Sequence, residues 1–396
     1  MKKQAKNSAL ILNKANEKDC PLIGKGADRY EAVKLPELNI RRIKKVIYLY
    51  VMVFVIVIAV LIVLLINNIN SDSHIVVDVD TQKEMIDGFL VPDINVGVNT
   101  PSKEDTTNNS ENDGGLTKET LYFFDYSKIP SGATPIVPMD LSLSSYGSTY
   151  INNSTGYDPD TEALLSSSIK QSINLENLSA SKSPTVLIVH THGTEGYSND
   201  GDLFFYDNGG EFARSYNENE TVVGIGKILC EELSAEGINA IHCTVMHDQL
   251  QYKDSYAKAE QTIREYLKRY PTIRLVIDVH RDAIITSDGD VVRPVTVADG
   301  EAAAQLMCVV GSDHGGESCP RWQENLALAL KLRERLNAKY ENICRPPYLR
   351  GATYNQEISP YSLLVEVGAS GNSIEEATRS IKIFATVLSE LLRSSF

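Results

Sequence analysis

Three short runs carry side chains that bind metals or move protons, and each closes an apolar stretch. TVLIVHTHGTE (185–195) presents His190, His192 and Glu195; VIDVHRD (276–282) presents Asp278, His280, Arg281 and Asp282; LLVEVG (363–368) presents Glu366. A catalytic zinc takes three protein ligands and leaves a fourth position for water. His192 and Glu195 form an H-x-x-E pair, Gly193 permits the tight turn between them, and His280 from a separate run completes a His₂Glu set. His190 is an alternative to His192, because alternate residues of an extended strand share a face. Metal-assisted hydrolysis also needs a carboxylate off the metal as general base and acid. Glu366, at the end of a hydrophobic run, is the candidate. Each signal is weak alone, since a single histidine at a strand end is usually a hydrogen-bonded surface residue. The joint pattern on three runs is what points to a hydrolytic metal site.

The elements that must position these groups alternate in type. TVLIVH (185–190), INAIHC (238–243), IRLVIDVH (273–280), VVRPVTV (291–297), AQLMCVVG (304–311) and YSLLVEVG (361–368) read as strands. Between them, ETVVGIGKILCEELSAEG (220–237), SYAKAEQTIREYLKRY (255–270), CPRWQENLALALKLRERLNAKY (319–340) and SIEEATRSIKIFATVLSELLRSS (373–395) have helical spacing. Ser373 with Glu376 forms a capping box, and Gly237 is a helix stop. The alternation predicts an α/β fold, a largely parallel sheet with helices on both faces. Ligands of such sheets bind beyond the C-terminal strand ends, which is where the three runs place their chemistry.

Other motifs are uninformative or negative. The loop GSDHGGES (311–318) lacks the Lys and Ser/Thr of a phosphate-binding loop, and no serine sits in a G-x-S-x-G context. His242 reads as structural, His247 beside Asp248 as a residue near the cleft, and His314 as part of a rim. Cys230, Cys243, Cys308, Cys319 and Cys344 are odd in number and lack zinc-finger spacing, so they read as buried thiols, with one disulfide through Cys319 or Cys344 left open.

Charge is distributed unevenly. Residues 1–45 hold twelve Lys/Arg against five Asp/Glu, a net of +7, which leaves −21 for the rest of a chain whose total is −14. An acidic body disfavours nucleic acid. Residues 46–66 (VIYLYVMVFVIVIAVLIVLLI) carry no charge and suffice to span a bilayer as one helix. The preceding Arg41-Arg42-Ile43-Lys44-Lys45 places the N-terminus in the cytoplasm and the remainder outside, attached to the cell membrane by a single pass. Residues 67–120, rich in Asn, Asp, Ser, Thr and Gly, read as a flexible linker, and 121–396 as the catalytic domain.

HTHGTEGY (190–197), ETVVGIGKIL (220–229), DVHRDA (278–283) and LLVEVGASGN (363–372) together resemble the stage II sporulation protein P family, within the wider group of zinc-dependent N-acetylmuramoyl-L-alanine amidases. YINNSTGYDPDTEALL (150–165) resembles the lead-in to that family's catalytic domain, and the similarity covers roughly 120–396. The resemblance implies an amidase-like fold and a Zn²⁺ enzyme that cuts peptidoglycan between the lactyl group and L-alanine. It also implies cleavage of peptide cross-links, during engulfment of the forespore. Implied partners are stage II sporulation proteins D and M, and the implied location is the space between mother-cell and forespore membranes. In the wider amidase group the glutamate ligand falls at the start of the following helix, which makes Glu218 or Glu220 the reserve to Glu195. Arg281, Asp278, Asp282 and Asn372 are expected to contact substrate or support the ligands. The alternatives are a catalytically silent wall- or partner-binding module, and a metal-dependent carboxypeptidase gripping a terminal carboxylate with Arg281 or Arg350.

Overall fold

The computed structural model describes residues 116–167, 183–206, 213–359 and 361–394. The residues read above as a cytoplasmic tail (1–45), a membrane span (46–66) and nearly all of those read as a linker (67–120) lie outside the described residues. Among those described, no helix is long and apolar enough to cross a membrane.

Among the described residues, eleven strands and six α-helices follow in chain order: α1 (Lys118–Leu121), β1 (Thr134–Met139), β2 (Asn152–Asn153), α2 (Thr161–Ser166), β3 (Val186–Val189), β4 (Phe204–Phe205), α3 (Val222–Ala235), β5 (Ala240–His242), α4 (Ser255–Arg269), β6 (Leu275–Asp282), β7 (Val291–Ala298), β8 (Glu301–Ala304), β9 (Leu306–Gly311), α5 (Trp322–Lys339), β10 (Tyr348–Arg350), β11 (Tyr361–Ala369) and α6 (Ile374–Ser394). The main sheet runs β2-β10-β9-β11-β6-β3-β5. Every pairing in it is parallel except β9 with β11, which is antiparallel. The expected largely parallel sheet is therefore present, with one seam where the strand direction reverses.

Strand parity explains the layers. Val186 and Ile188 of β3, Ile277 and Val279 of β6, and Val365 and Val367 of β11 face one side, where Ile225 and Leu229 of α3, Leu326 and Leu330 of α5, and Phe384 and Leu388 of α6 cover them. The intervening Leu187, Val189 and Val276 face the other side and pack on Ile263 of α4. Strands buried on both faces must be apolar at every position, which is why these read as continuous hydrophobic runs. Each such side chain stabilises the fold by about 1.5–3 kcal/mol relative to exposure. The helix ends match their sequence signals. Gly237 follows α3 in the left-handed region at φ 79°, and Ser373 and Glu376 exchange bonds as a capping box.

A second sheet, β4-β1-β7-β8, departs from the expectation that VVRPVTV joins the main one. The cause is Pro294. β7 pairs with β1 through residues 291–294 and with β8 through 295–298, so the proline, which has no N–H, sits where the strand changes partner. All five described cysteines are free, so the disulfide through Cys319 or Cys344 is not formed. Both thiols are buried, as the alternative reading had them.

His190 follows the parity of Val186 and Ile188 and turns towards α3. Its Nδ1 bonds to Val279 O at 3.1 Å, and its Nε2 lies 2.8 Å from His242 Nε2. Burial, first, and the neighbouring His242 push His190 down to about 3, so the pair is neutral and shares one proton in its hydrogen bond. Gly226 of α3 is what leaves room for the rings: a Cβ there would stand 2.5 Å from His190 Cε1 and Nε2. Gly226→Ala should therefore destabilise the chain by about 1–3 kcal/mol through overpacking, despite its better helix propensity. Urea unfolding of the two proteins checks the sign, and an unchanged or raised midpoint would refute it.

Candidate metal centre

The residues that converge do so because β6 and β11 are adjacent and parallel. His280 and Glu366 are register partners and project from the same sheet face, the one opposite His190. β3 ends at Val189, and the loop after it brings His192 and Glu195 back over the end of β6. His192, Glu195 and His280 then form the one cluster, among the described residues, whose donor atoms all lie within 4.8 Å of one another. His192 Nδ1 is 3.6 Å from Glu195 Oε1, and His280 Nδ1 is 3.3 Å from Glu195 Oε2. All three residues are buried. Two imidazoles and one carboxylate supplied from separate elements are a donor set that suits zinc.

Asp278 holds the other edge of His280. Its Oδ1 is 3.0 Å from His280 Nε2, a charge contact rather than a well-aligned hydrogen bond. Asp278 is itself fixed by Thr191, whose N and Oγ1 donate to it at 2.9 and 2.5 Å. This is the carboxylate–histidine arrangement that aims the remaining imidazole nitrogen at a metal.

The electrostatics follow from that packing. Burial alone would lower His280, but the Asp278 and Glu195 carboxylates outweigh it and hold the imidazolium well above its usual range. Burial would raise Glu195, but the His280 charge, hydrogen bonds from His192 and His280, and the Arg281 charge hold it well below. Glu366 behaves oppositely. Burial, then the Asp282 carboxylate, push it up to about 8, with Glu195 adding and His280 and Arg345 opposing. It is half-buried, and its Oε2 is buried without a donor. A carboxyl at a metal site that holds its proton near neutrality is suited to acid–base work.

The ligand loop is braced from several directions. Gly193 packs on Met246, whose Cα a Cβ would meet at 2.8 Å, so the residue must be glycine for the two loops to touch. Asp248 accepts from Thr194 N and Oγ1 at 3.1 and 2.6 Å and pairs with Arg214 at 3.1 Å. His247, expected near the cleft, is buried beneath this loop, bonded to His190 O and Thr262 Oγ1 at 2.8 and 2.9 Å. Tyrosines wall the site. The His192 ring stacks on Tyr252 (centroids 4.3 Å apart) and meets Tyr256 edge-on at 5.5 Å.

Several expected site residues stand elsewhere. His190 is in the histidine pair described above. Glu218 is exposed on a 3₁₀ turn (Glu218–Glu220) and is not in the cluster. Arg281 stays at the cluster as a support: its backbone N donates to Glu195 Oε2 at 3.2 Å, and its side chain clamps the loop, donating to Gly196 O at 2.9 Å and Ala213 O at 3.1 Å. Asn372 is fully buried and holds the turn after β11, bonded to Ala369 N, Pro294 O and Glu376. Asp282 pairs with the fully buried Arg345 at 2.8 Å. Tyr252, Tyr256 and Arg214 were not foreseen, and Asp248 was read only as the neighbour of His247 near the cleft. A tyrosine pair at i, i+4, Tyr252 and Tyr256, was the available signal.

Comparison with known proteins adds three findings. Stage II sporulation protein P of Bacillus subtilis (strain 168) is 26% identical over 279 residues, 64% of this chain. The chain spans 65% of that relative's length, less than two thirds. Among solved structures, the CwlD amidase from Clostridioides difficile in complex with the GerS lipoprotein aligns with TM-score 0.34 and 14% identity, covering 53% of this chain and 98% of that one. The N-acetylmuramoyl-L-alanine amidase AmiC2 of Nostoc punctiforme aligns with TM-score 0.31 and 15% identity, covering 53% and 96%. Scores this low say nothing about chemistry. The sequence pattern described as stage II sporulation protein P matches residues 103–389, well over half of the chain and all four motifs around the cluster, so the chain belongs to that family.

Proposed function

We propose that this chain is a zinc-dependent peptidoglycan hydrolase of sporulation, cutting the N-acetylmuramoyl–L-alanine amide bond and peptide cross-links. The observation that carries the reading is the His192–Glu195–His280 cluster with Glu366 beside it on the neighbouring strand. Family membership supports the sporulation context. The protein is anchored by residues 46–66, works between the mother-cell and forespore membranes, and acts with stage II sporulation proteins D and M.

His192, Glu195 and His280 hold the ion. Zinc, when bound, acidifies a water and polarises the scissile carbonyl. Asp278 keeps the His280 ring in one orientation. With the ion's positive charge beside it, Glu366 would be held as the carboxylate that takes a proton from the attacking water and passes it to the departing L-alanine nitrogen. The clamp by Arg281 and the Asp248–Thr194 contact keep Glu195 and His192 from drifting as charge develops.

The purified chain should bind about one zinc. His280→Ala should lose the metal, and metal-free protein should lose about 3–5 kcal/mol as well, because Glu195 and Asp278 are left as buried carboxylates without their shared cation. Metal analysis and urea unfolding check the two effects separately.

Glu366→Gln should keep zinc and wall affinity while release of new L-alanine amino termini from purified sacculi falls by about 10²–10⁴-fold. Loss of zinc in this variant would make Glu366 a ligand. Near-parental turnover would place the proton transfer on another group.

The same substitution has a pH signature in metal-free protein. An acid whose folded pKa stands near 8, above an unfolded value of 4.5, binds more protons folded than unfolded between those limits. Its contribution to stability is complete below 4.5 and is lost as pH rises to about 8. Glu366→Gln should therefore gain stability relative to the parent as pH rises through that window. Thermal unfolding across it gives the comparison, and a constant difference would contradict the assignment.

A further inference from the structure

Residues 351–359 connect β10 towards β11, and two neighbours at their centre have left-handed backbone: Tyr354 at φ 53° and Asn355 at φ 59°. Asparagine tolerates this conformation. A tyrosine has no local reason to adopt it and is a steric outlier there. Such residues persist only where the surroundings over-determine them, and they collect at functional sites.

Here the surroundings are specific. Asn355 Nδ2 donates to Tyr256 O at 2.9 Å, tying the strained pair to the first turn of α4. Gln356 is built into the main sheet, donating to Val309 O at 2.9 Å and accepting from Gly311 N at 3.0 Å. Between these ties the Tyr354 ring is laid on the cluster of Met307, Val309, Tyr348 and Leu364. Leu364 stands two residues before Glu366 on the same face of β11. The Tyr354 ring is 5.7 Å from that of Tyr256, whose ring is 5.5 Å from His192. The residue is only half-buried, and the Glu366 carboxylate is among the charges that bear on its phenol. Burial keeps it protonated against the opposing charge and hydrogen bond of Arg350, so it remains a donor.

We propose that Tyr354 is a substrate-contacting residue of this centre, its phenol donating a hydrogen bond to the scissile carbonyl oxygen as that oxygen gains charge. The inference rests on the hydrolase reading above. The water oxygen bonds to the carbonyl carbon, the C=O π pair moves onto the carbonyl oxygen, and the water's proton goes to Glu366. Tyr354 shares its proton with the charged oxygen and keeps it. When the pair returns to form the carbonyl, the C–N bond breaks, and the nitrogen leaves with the bonding electrons and takes the proton from Glu366. The backbone strain fits this role, because a donor pre-aimed at developing charge needs no reorganisation during reaction.

The test uses the full zinc-loaded chain and a soluble muropeptide. Tyr354→Phe keeps the ring and its packing and removes only the hydroxyl. It should lower kcat by about 10²–10³-fold, with KM and zinc content close to the parent. Tyr354→Asn and Tyr354→Ala both lose the ring and its packing, so both should lose activity to a similar degree, but Asn, suited to the left-handed backbone, should unfold at the higher midpoint of the two in metal-free protein. Parental kcat in Tyr354→Phe, or loss of its zinc, overturns the role of Tyr354 alone. A midpoint in Tyr354→Asn no higher than that of Tyr354→Ala removes the strain from which the role is inferred. A parent that releases no amino termini overturns the hydrolase reading and this role together.

Discussion

The His280 ring lies between two buried carboxylates, Asp278 on one edge and Glu195 on the other. Neither acid could be buried at acceptable cost without that cation, and the cation could not be buried without them. Two elements are tied to this contact. β6 carries His280 and Asp278, the loop after β3 carries Glu195, and Thr191 at the start of that loop is fastened to Asp278. A divalent ion bound to the same nitrogen and oxygen would replace a proton's charge with a larger one. The cluster is thus compatible with burial both with and without metal.

Strand parity separates two histidines that sequence spacing left interchangeable. His190 and His192 differ by two residues, and an uninterrupted strand would point both the same way. β3 ends at Val189, so only His190 keeps the strand's alternation and enters the α3 side. His192 belongs to a loop whose path is set by Gly193 against Met246 and by Asp248. The Glu366 carboxylate is placed by simpler means, since parallel register alone puts it beside His280.

What was legible in the sequence was whatever burial enforces over several residues. β3, β6, β9 and β11 are apolar on both faces and stand out as runs, and the helices between them carry caps and periodic apolar faces. The His192, Glu195, His280 and Glu366 positions were legible because they end those runs. The second sheet was not, because β4 and β8 are short and Pro294 obscures where β7 changes partner. Arg281 illustrates another limit. A charged residue at a strand end reads as a grip for substrate, and only the positions of Gly196 O and Ala213 O reveal that its donors are spent on backbone. Nothing in a tyrosine's neighbours announces a left-handed backbone, so Tyr354 could be found only in three dimensions.

The loop that supplies His192 and Glu195 contains no helix or strand of its own, and its supports come from far along the chain: Asp248, Asp278 and Arg281 lie 54, 87 and 85 residues from their partners. Contacts between such distant segments form only after the chain entropy of closing those intervals has been overcome. The ligands therefore come together after the sheet has assembled, and nascent chain holds no preformed receptor for the ion. A metal ion held by these residues would therefore be taken up by the finished protein and not by the nascent chain.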